Sequence, residues 1–575
     1  MKIKLLLFLL IGTFSRAQDW QWIKEGGGTG TASSNTKEQV YSMVTDSQNN
    51  IYILSKVAGS GVEIDGNPKN TYDSGNPNEV VLASFSCDGT YRWSKIIGGN
   101  GTENINAVQV DSQDNVYVAG KVATCNGGGA GNFYYARIDD EYEFINTGSA
   151  CTLIFLAKFD TNGTIQYVKR PQLPTTTSQA VTYTASYNVE IHNDIIYWSV
   201  WLPPGVYADG AFTNSNPDAY TPYVLKYNLD GSFIEAVQLG TIQGLYDFYI
   251  KYYRNPYNGY YYMTYQRTNS GATFSINGQP IVNSAALICY DNLGQYQWKV
   301  ENSSTQENIL KFFNITFDPQ NNIYISGHIT GLNMVSFAGY STPDPVTPAF
   351  IMKLNPTATT LLWASNHNIL DSGSLGYLFY NGNEVAYTGR CAGPNFTWGS
   401  QTMYVNEINQ GQDVLFARFD STTGDCLSLN KINSDVGSTD FGNAIAVDAS
   451  GDYIVGGGFG HYIYDMNNNV STNEGGPSDF FLAKFSTQAC TPLNNESFDE
   501  SQIRVYPNPA NEFIMVSVTE NTKYKLYSIA GQLVKIGSLS VNENSINLQE
   551  LSKGCYLLKL SNENNTVLTL KVLKE

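Results

Sequence analysis

LASFSCDGTYRWSKIIGGNGTENINAVQVDSQDNVYVAGK, Leu82 to Lys121, is the stretch that decides the fold, because most of the remaining chain repeats it. It reads as short strands, LASFS, YRWSKI, NAVQVD and VYVAGK, broken at Cys-Asp-Gly, a Gly-rich segment and Ser-Gln-Asp-Asn. Asp and Asn tolerate left-handed dihedrals and Gly takes them without steric cost, so these breaks are hairpin chemistry. Several strands are apolar on both faces, as strands between two other sheets must be. One such four-stranded unit cannot cover both of its faces and needs neighbours.

Two markers supply them. LASFS returns as LAKFD (Leu156–Asp160), VLKYN (Val224–Asn228), LICYD (Leu287–Asp291), IMKLN (Ile351–Asn355), LFARFD (Leu415–Asp420) and FLAKF (Phe481–Phe485). NNIYILS (Asn49–Ser55) returns as DNVYVAG, DIIYWS, NGYYYMT, NNIYISG, NEVAYTG and GDYIVGG, in strict alternation with the first. From Ser84 through Lys158, Lys226, Cys289, Lys353, Arg418 and Lys484 the steps are 74, 68, 63, 64, 65 and 66 residues. A fixed period of four strands predicts an all-β, seven-bladed β-propeller over residues 18–490. The ends agree with each other. Asp19–Gly26, DWQWIKEG, matches the outer-strand segment YRWSKIIG (Tyr91–Gly98), and the seventh unit stops at FLAKF with no fourth strand. The N-terminal strand is therefore expected to pair with Phe480–Phe485 and close the ring.

Residues 1–17 carry Lys2 and Lys4, the apolar run Leu5–Ile11 and then Ser15-Arg16-Ala17. This is the layout of a signal peptide, with cleavage expected between Ala17 and Gln18. No later run reaches the roughly 18 apolar residues of a spanning helix, so no integral membrane segment is expected in the mature chain. A net charge of −18 argues against a nucleic-acid groove, which needs a basic stripe.

The eight cysteines form no CxxC pair. Cys125 and Cys151 bracket an insertion found in the second unit only, and a disulfide there would close a long loop at its base. Other pairings stay open. The histidines 192, 328, 367 and 461 are scattered, and the turns DSQNN, DSQDN, DPQNN and DASGD lack the distal Glu of a calcium loop. No metal site, cofactor or catalytic residue is nominated.

The VxDxxNNIYxxG core and the long following segments, such as VEIDGNPKNTYDSGNPNEV and TFSINGQPIVNSA, resemble the bacterial β-propeller repeat known as the SBBP repeat. That likeness implies that NAVQVD is innermost, then VYVAGK, LAKFD and YRWSKI outermost. After a linker at 491–502, composition changes. IRVYPNPANEFIMVSV, KYKLYSIAGQLVKIG, INLQELSKGCYLLKL and TVLTLKVLKE have period-2 strands and Gly turns, giving a small β-sandwich over 503–575. VYPNP, LYSIAGQLV and LSKGCYLLKL resemble the type A C-terminal sorting domain of the type IX secretion system, with Cys555 as a departure. The resemblance implies the type IX secretion machinery as partner, passage through the periplasm, and a secreted or cell-surface destination.

Function is less determined. Aromatic richness (13%) and long loops favour a non-catalytic module binding a surface glycan or protein. An exported polysaccharide hydrolase or lyase and a structural surface component are the alternatives. One structural position, the end of each second strand, carries Lys56, Lys121, Trp201, Tyr265, His328, Arg390 and Gly458. These residues are expected to form a polar-aromatic collar at the inner rim, where a ligand would sit.

Overall fold

The computed structural model describes residues 18–490 and 503–575 except 31–36, 73–78, 100–102, 124–135, 146–151, 172–184, 217–220, 245–247, 269–273, 308, 330–334, 342–348, 368–375, 406–410, 435–438, 519–521, 530–531, 541–543 and 562–566. The expected signal peptide and the expected Cys125–Cys151 bridge both lie outside the described residues. The chain divides into two compact units, residues 1–490 and 491–575.

The first unit is all-β and propeller-like. In sequence order its described residues form seven antiparallel sheets whose core is four strands arranged first, second, third, fourth. Sheet 1 shows the pattern with Val40–Thr45, Ile51–Val57, Glu79–Phe85 and Tyr91–Gly99. Sheet 7 takes Phe441–Val447, Tyr453–Phe459 and Asp479–Ser486 from the end of the unit and Asp19–Gly27 from its beginning. Asp19 pairs with Ser486, Trp20 with Phe485, Trp22 with Lys484 and Gly26 with Phe480. The register slips at Gln21, and outer strands elsewhere slip at the same step, beside Ser84, Lys158, Lys226, Cys289, Lys353 and Arg418. The N-terminal strand thus has the outer-strand geometry in full.

Apolar packing between sheets explains why both faces are apolar. Tyr52, Leu54 and Leu82 of sheet 1 pack with Val108, Val116 and Val118 of sheet 2, while Ile51, Ile53 and Val81 pack with Ile454, Phe480 and Leu482 of sheet 7. Each buried Val, Leu or Ile contributes about 1.5–3 kcal/mol. Two outer edges are covered by short strands from neighbouring loops. Glu63–Ile64 pairs with the N-terminal strand, and Ala136–Ile138, part of the second-unit insertion, pairs with Tyr91–Gly99. Covering an edge removes unpaired strand groups that invite aggregation. Cys87, in the last turn of sheet 1, is joined to Cys490 across 403 residues of sequence.

The two repeat markers meet in space. Asp318 Oδ1 accepts the backbone N–H groups of Gln320 and Asn322, its Oδ2 accepts from Asn322 Nδ2 (2.9 Å) and from the Tyr324 hydroxyl (3.1 Å), and Lys353 Nζ pairs with it at 3.0 Å. Asp111 with Lys158 (3.5 Å) and Asp448 with Lys484 (2.7 Å) repeat the arrangement. Burial alone would raise Asp318, but these hydrogen bonds and Lys353 hold it below the usual carboxylate range. The substitutions compensate. In sheet 4, neutral Asn255 takes the Asp place and Cys289 the Lys place. In sheet 1, Ser84 replaces the Lys and Arg92 reaches in to Ser84 Oγ (2.9 Å) and the Tyr52 hydroxyl (3.2 Å). The turn reading of DxxNN therefore has a physical basis, since its carboxylates are already engaged.

The second unit packs two sheets. Val505–Tyr506, Phe513–Val516 and Ser545–Asn547 form one, and the other runs Leu533–Leu539, Thr522–Ser528, Gly554–Ser561, Val567–Lys574. Ile514, Leu526, Leu548, Leu558 and Val572 fill the space between. Among the described residues no helix is long and apolar enough to cross a membrane.

Removing one member of a buried ion pair strands the other, at a typical cost of about 3–5 kcal/mol. Lys353→Met should therefore lower the melting temperature strongly. Asp318→Asn combined with Lys353→Cys, copied from sheet 4, should recover most of the loss. Equal melting of the single and double variants would show that the pair is not what matters. A second expectation concerns pH. Burial, with the negative charges of Glu63 and Glu474, pushes Glu25 on the N-terminal strand up to about 7, and burial pushes Asp479 up to about 8. Both folded values exceed the unfolded ones, near 4, so their contribution is full below about pH 4 and is lost as pH rises through about 7–8. The melting temperature should fall between pH 5 and pH 9, and Asp479→Asn should flatten that fall.

Candidate functional site

The first strands stand innermost. Val40–Thr45, Asn104–Val110, Ala185–His192, Phe248–Arg254, Leu310–Phe317, Tyr377–Asn381 and Phe441–Val447 all contribute to the wall of one cavity of about 840 Å³. Five of them carry a bulge at the same level, with the extra residue being Tyr41, Asn106, Tyr187, Phe313 or Asn443. A bulge re-aims a side chain and frees backbone groups from the ladder. The strands from Phe248 and Tyr377 keep an unbroken register.

Neighbouring first strands are stitched together at this level. Asn443 Nδ2 donates to Val40 O (3.4 Å), Val108 N to Ser42 Oγ (3.1 Å), Asn106 Nδ2 to Ser186 O, Arg254 N to Glu190 Oε1 (3.0 Å), Lys251 Nζ to Phe313 O (2.8 Å) and Leu378 N to Asn314 Oδ1 (3.3 Å). The Tyr41 hydroxyl is buried with no hydrogen-bond partner among the described residues.

The wall mixes rings and amides unevenly. Most rings come from sheets 3 to 6, among them Tyr187, Tyr249, Tyr253, Phe313, Tyr377 and Phe379, with Tyr41 from sheet 1, while Asn443, Ser42, Asn104, Asn106 and Gln109 come from sheets 7, 1 and 2 and Asn188 and Asn314 stand among the rings. Two titrating groups face this space. Burial pushes Glu190 up to about 7 against the opposing pull of the Arg254 N–H and its charge. Lys251 is reached by solvent yet ringed by protein, and that desolvation pushes its ammonium down to about 8.

The expected collar residues do share one register level. Lys56 pairs with Val80, Lys121 with Ile154, Trp201 with Pro222, Tyr265 with Ala286, His328 with Ala349, Arg390 with Val414 and Gly458 with Phe480. None of them is among the residues that line the cavity, because each sits at the end of a second strand and the first strands form the wall. Trp201 is 5% exposed and donates Nε1–H to the Tyr252 hydroxyl (2.7 Å). Tyr265 is fully buried and stacks on Phe274 at 4.3 Å, and His328 is buried at 6.4 Å from the Phe313 ring. These three side chains fill the space between sheets and have no surface to offer. Lys56, Lys121 and Arg390 are half-buried, and the ammonium groups of Lys56 and Lys121 have neither ion pair nor hydrogen bond among the described residues. Sequence reasoning missed the bulged residues. Their signal was the residue five before each turn residue Asp46, Asp111, His192, Asp318 and Asp448, which breaks the alternation.

Residues 504–575 match the family model described as the secretion system C-terminal sorting domain. The protein is accordingly a secreted or cell-surface protein carrying a type IX sorting domain. No curated protein matches the chain. Among solved structures it is similar to a protein of unknown function from Dyadobacter fermentans, at 10% identity over 64% of this chain and 93% of that one, with a TM-score of 0.34. It is also similar to the β-propeller domain of the Trilobed protease from Pyrococcus furiosus, at 8% identity over 76% and 95%, with a TM-score of 0.34. The extracellular domain of a putative hybrid two component system from B. thetaiotaomicron aligns at 10% identity over 96% and 99%, with a TM-score of 0.21. These scores lie below 0.5, so the fold rests on the chain's own pairings.

Truncating a buried aromatic typically costs about 3–5 kcal/mol. Trp201→Ala and Tyr265→Ala should each show a loss of that size in denaturant unfolding, while Lys121→Ala should stay within about 1 kcal/mol, as surface changes do. A mild Trp201→Ala would contradict the packing role.

Proposed function

We propose that residues 18–490 form a seven-bladed β-propeller of SBBP-like repeats, completed in its last blade by the N-terminal strand, and that it serves outside the cell as a non-catalytic glycan-binding module. A signal peptide cut between Ala17 and Gln18 starts its export, the linker 491–502 separates the sorting domain, and the type IX machinery delivers it. The observation that carries the binding reading is a cavity wall that combines many aromatic rings, most of them on sheets 3 to 6, with side-chain amides. The rings suit the apolar C–H face of a sugar, and the amides suit its hydroxyls. A pocket of a few hundred Å³ or more is the usual size for a small ligand. Cleavage by paired carboxylates needs two acids across the bond, and Glu190 is the one carboxyl among the described lining residues.

The full exported chain, screened against a glycan panel by binding and by product release, tests this reading. Retained glycan without release of fragments is expected, with weaker binding for Tyr253→Ala by roughly ten-fold, the loss of about one good stacking contact. Fragment release would turn the reading to a hydrolase or lyase. An absence of binding across the panel would remove the glycan.

A further inference from the structure

The lysines of the first unit differ in their partners. On the third and outer strands most are paired with carboxylates, Lys24 with Asp65, Lys226 with Glu235, Lys299 with Glu301, Lys353 with Asp318, Lys431 with Asp413 and Lys484 with Asp448, whereas Lys169 lies over the Tyr167 ring. At the end of the cavity where the first strands begin, Lys37, Lys56, Lys121 and Lys311 have no ion pair among the described residues.

Their positions are fixed by register. Lys56 follows Ser55, which pairs with Val40 at the start of its first strand, and Lys121 pairs with Asn104, the start of the next. Lys311 is the second residue of Leu310–Phe317 and pairs with His328. Lys37 lies with its Nζ 4.9 Å from the ring centre of Phe441, where the seventh first strand begins. It is close enough to Arg390 for their charges to repel. Below them Lys251 reaches into the cavity, bonded only to the Phe313 carbonyl. Two carboxyls at this end, Glu38 and Asp479, are 1% and 0% exposed, and burial drives both toward the protonated form.

A cluster of lysines with no ion pair among the described residues, at one end of a cavity in a protein of net charge −18, makes a local positive field. We infer that the cavity and this mouth take an acidic oligosaccharide, with its rings against Tyr249, Tyr253 and Phe313 and its carboxylate or sulfate groups at Lys251, Lys56, Lys121, Lys37 and Lys311. The inference rests on the glycan-binding reading and gives it a substrate class.

Matched pairs separate the two claims. The full exported chain is titrated with polygalacturonate against its methyl ester, and with dextran sulfate against dextran, with single-stranded DNA as a non-sugar polyanion. The charged member of at least one pair should bind and its neutral counterpart should not, and the pair that responds tells carboxylate from sulfate. Affinity should drop as salt rises from about 0.05 to about 0.3 M, since exposed charges are screened over that range. It should fall at least about ten-fold in Lys251→Met, and separately in the Lys56→Gln, Lys121→Gln double variant, which leaves the cavity wall intact; ten-fold corresponds to about one charge contact. Equal binding of charged and neutral members would overturn the acidic class and leave the glycan reading standing. Charged-sugar binding untouched by both variants, or DNA binding of equal strength, would overturn the site. No binding by any sugar would end both readings.

Discussion

Strands that crowd a common centre must be narrow or bent where they meet, and this constraint governs the first unit. The first strands of neighbouring sheets approach closely enough that Asn443, Asn106 and Lys251 reach the carbonyls of the next strand along. The first strand is the inner edge of its sheet, so alternate carbonyls along it point away from the second strand and lie outside the ladder. The bulges at Tyr41, Asn106, Tyr187, Phe313 and Asn443 free backbone groups at that level. The same device that lets the sheets converge also sets aromatic and amide side chains on the cavity wall. Packing and the candidate site are therefore consequences of one geometric demand.

At the opposite end of the first strands a different interaction holds the repeat. The Asp turn, its Asn, the Tyr of the second strand and the Lys of the third form a buried polar cluster. Such a cluster is favourable only when every member is satisfied. The exchange to Asn255 with Cys289 in sheet 4 shows the chain giving up both charges together.

Much of this was legible in the residues. Alternating markers 63 to 74 residues apart located each four-stranded unit, and the likeness of DWQWIKEG to YRWSKIIG located the strand that completes the last sheet, down to a register from Asp19 to Gly26. The sorting domain was legible because its motifs are local and ordered. The collar was legible only in part. Sequence alignment placed Trp201, Tyr265 and His328 at one level, but alternation along a strand cannot say which face meets a neighbouring sheet and which meets solvent. In a strand covered on both sides the answer is neither. Bulges escaped for a related reason: one unpaired residue shifts a pattern by a single place, within the ordinary irregularity of short strands. The Cys87–Cys490 bond escaped because proximity across 403 residues follows from the arrangement of sheets and not from spacing.

The pairing of Asp19–Gly27 with Asp479–Ser486 imposes an order in time. Asp19–Gly27 leaves the ribosome more than four hundred residues before its partner, and Cys490 follows later still. Until then the strand DWQWIKEGG has no partner, while sheets 1 to 6 already have all four of their own strands. Contacts so distant in sequence form slowly, since the loop must be drawn together before any of them repays the cost. Completion is thus a single late event that reports the arrival of the whole unit. A chain interrupted before Asp479 keeps its N-terminal strand unpaired, an exposed edge that any protease or chaperone able to read free strand edges can distinguish from the finished molecule.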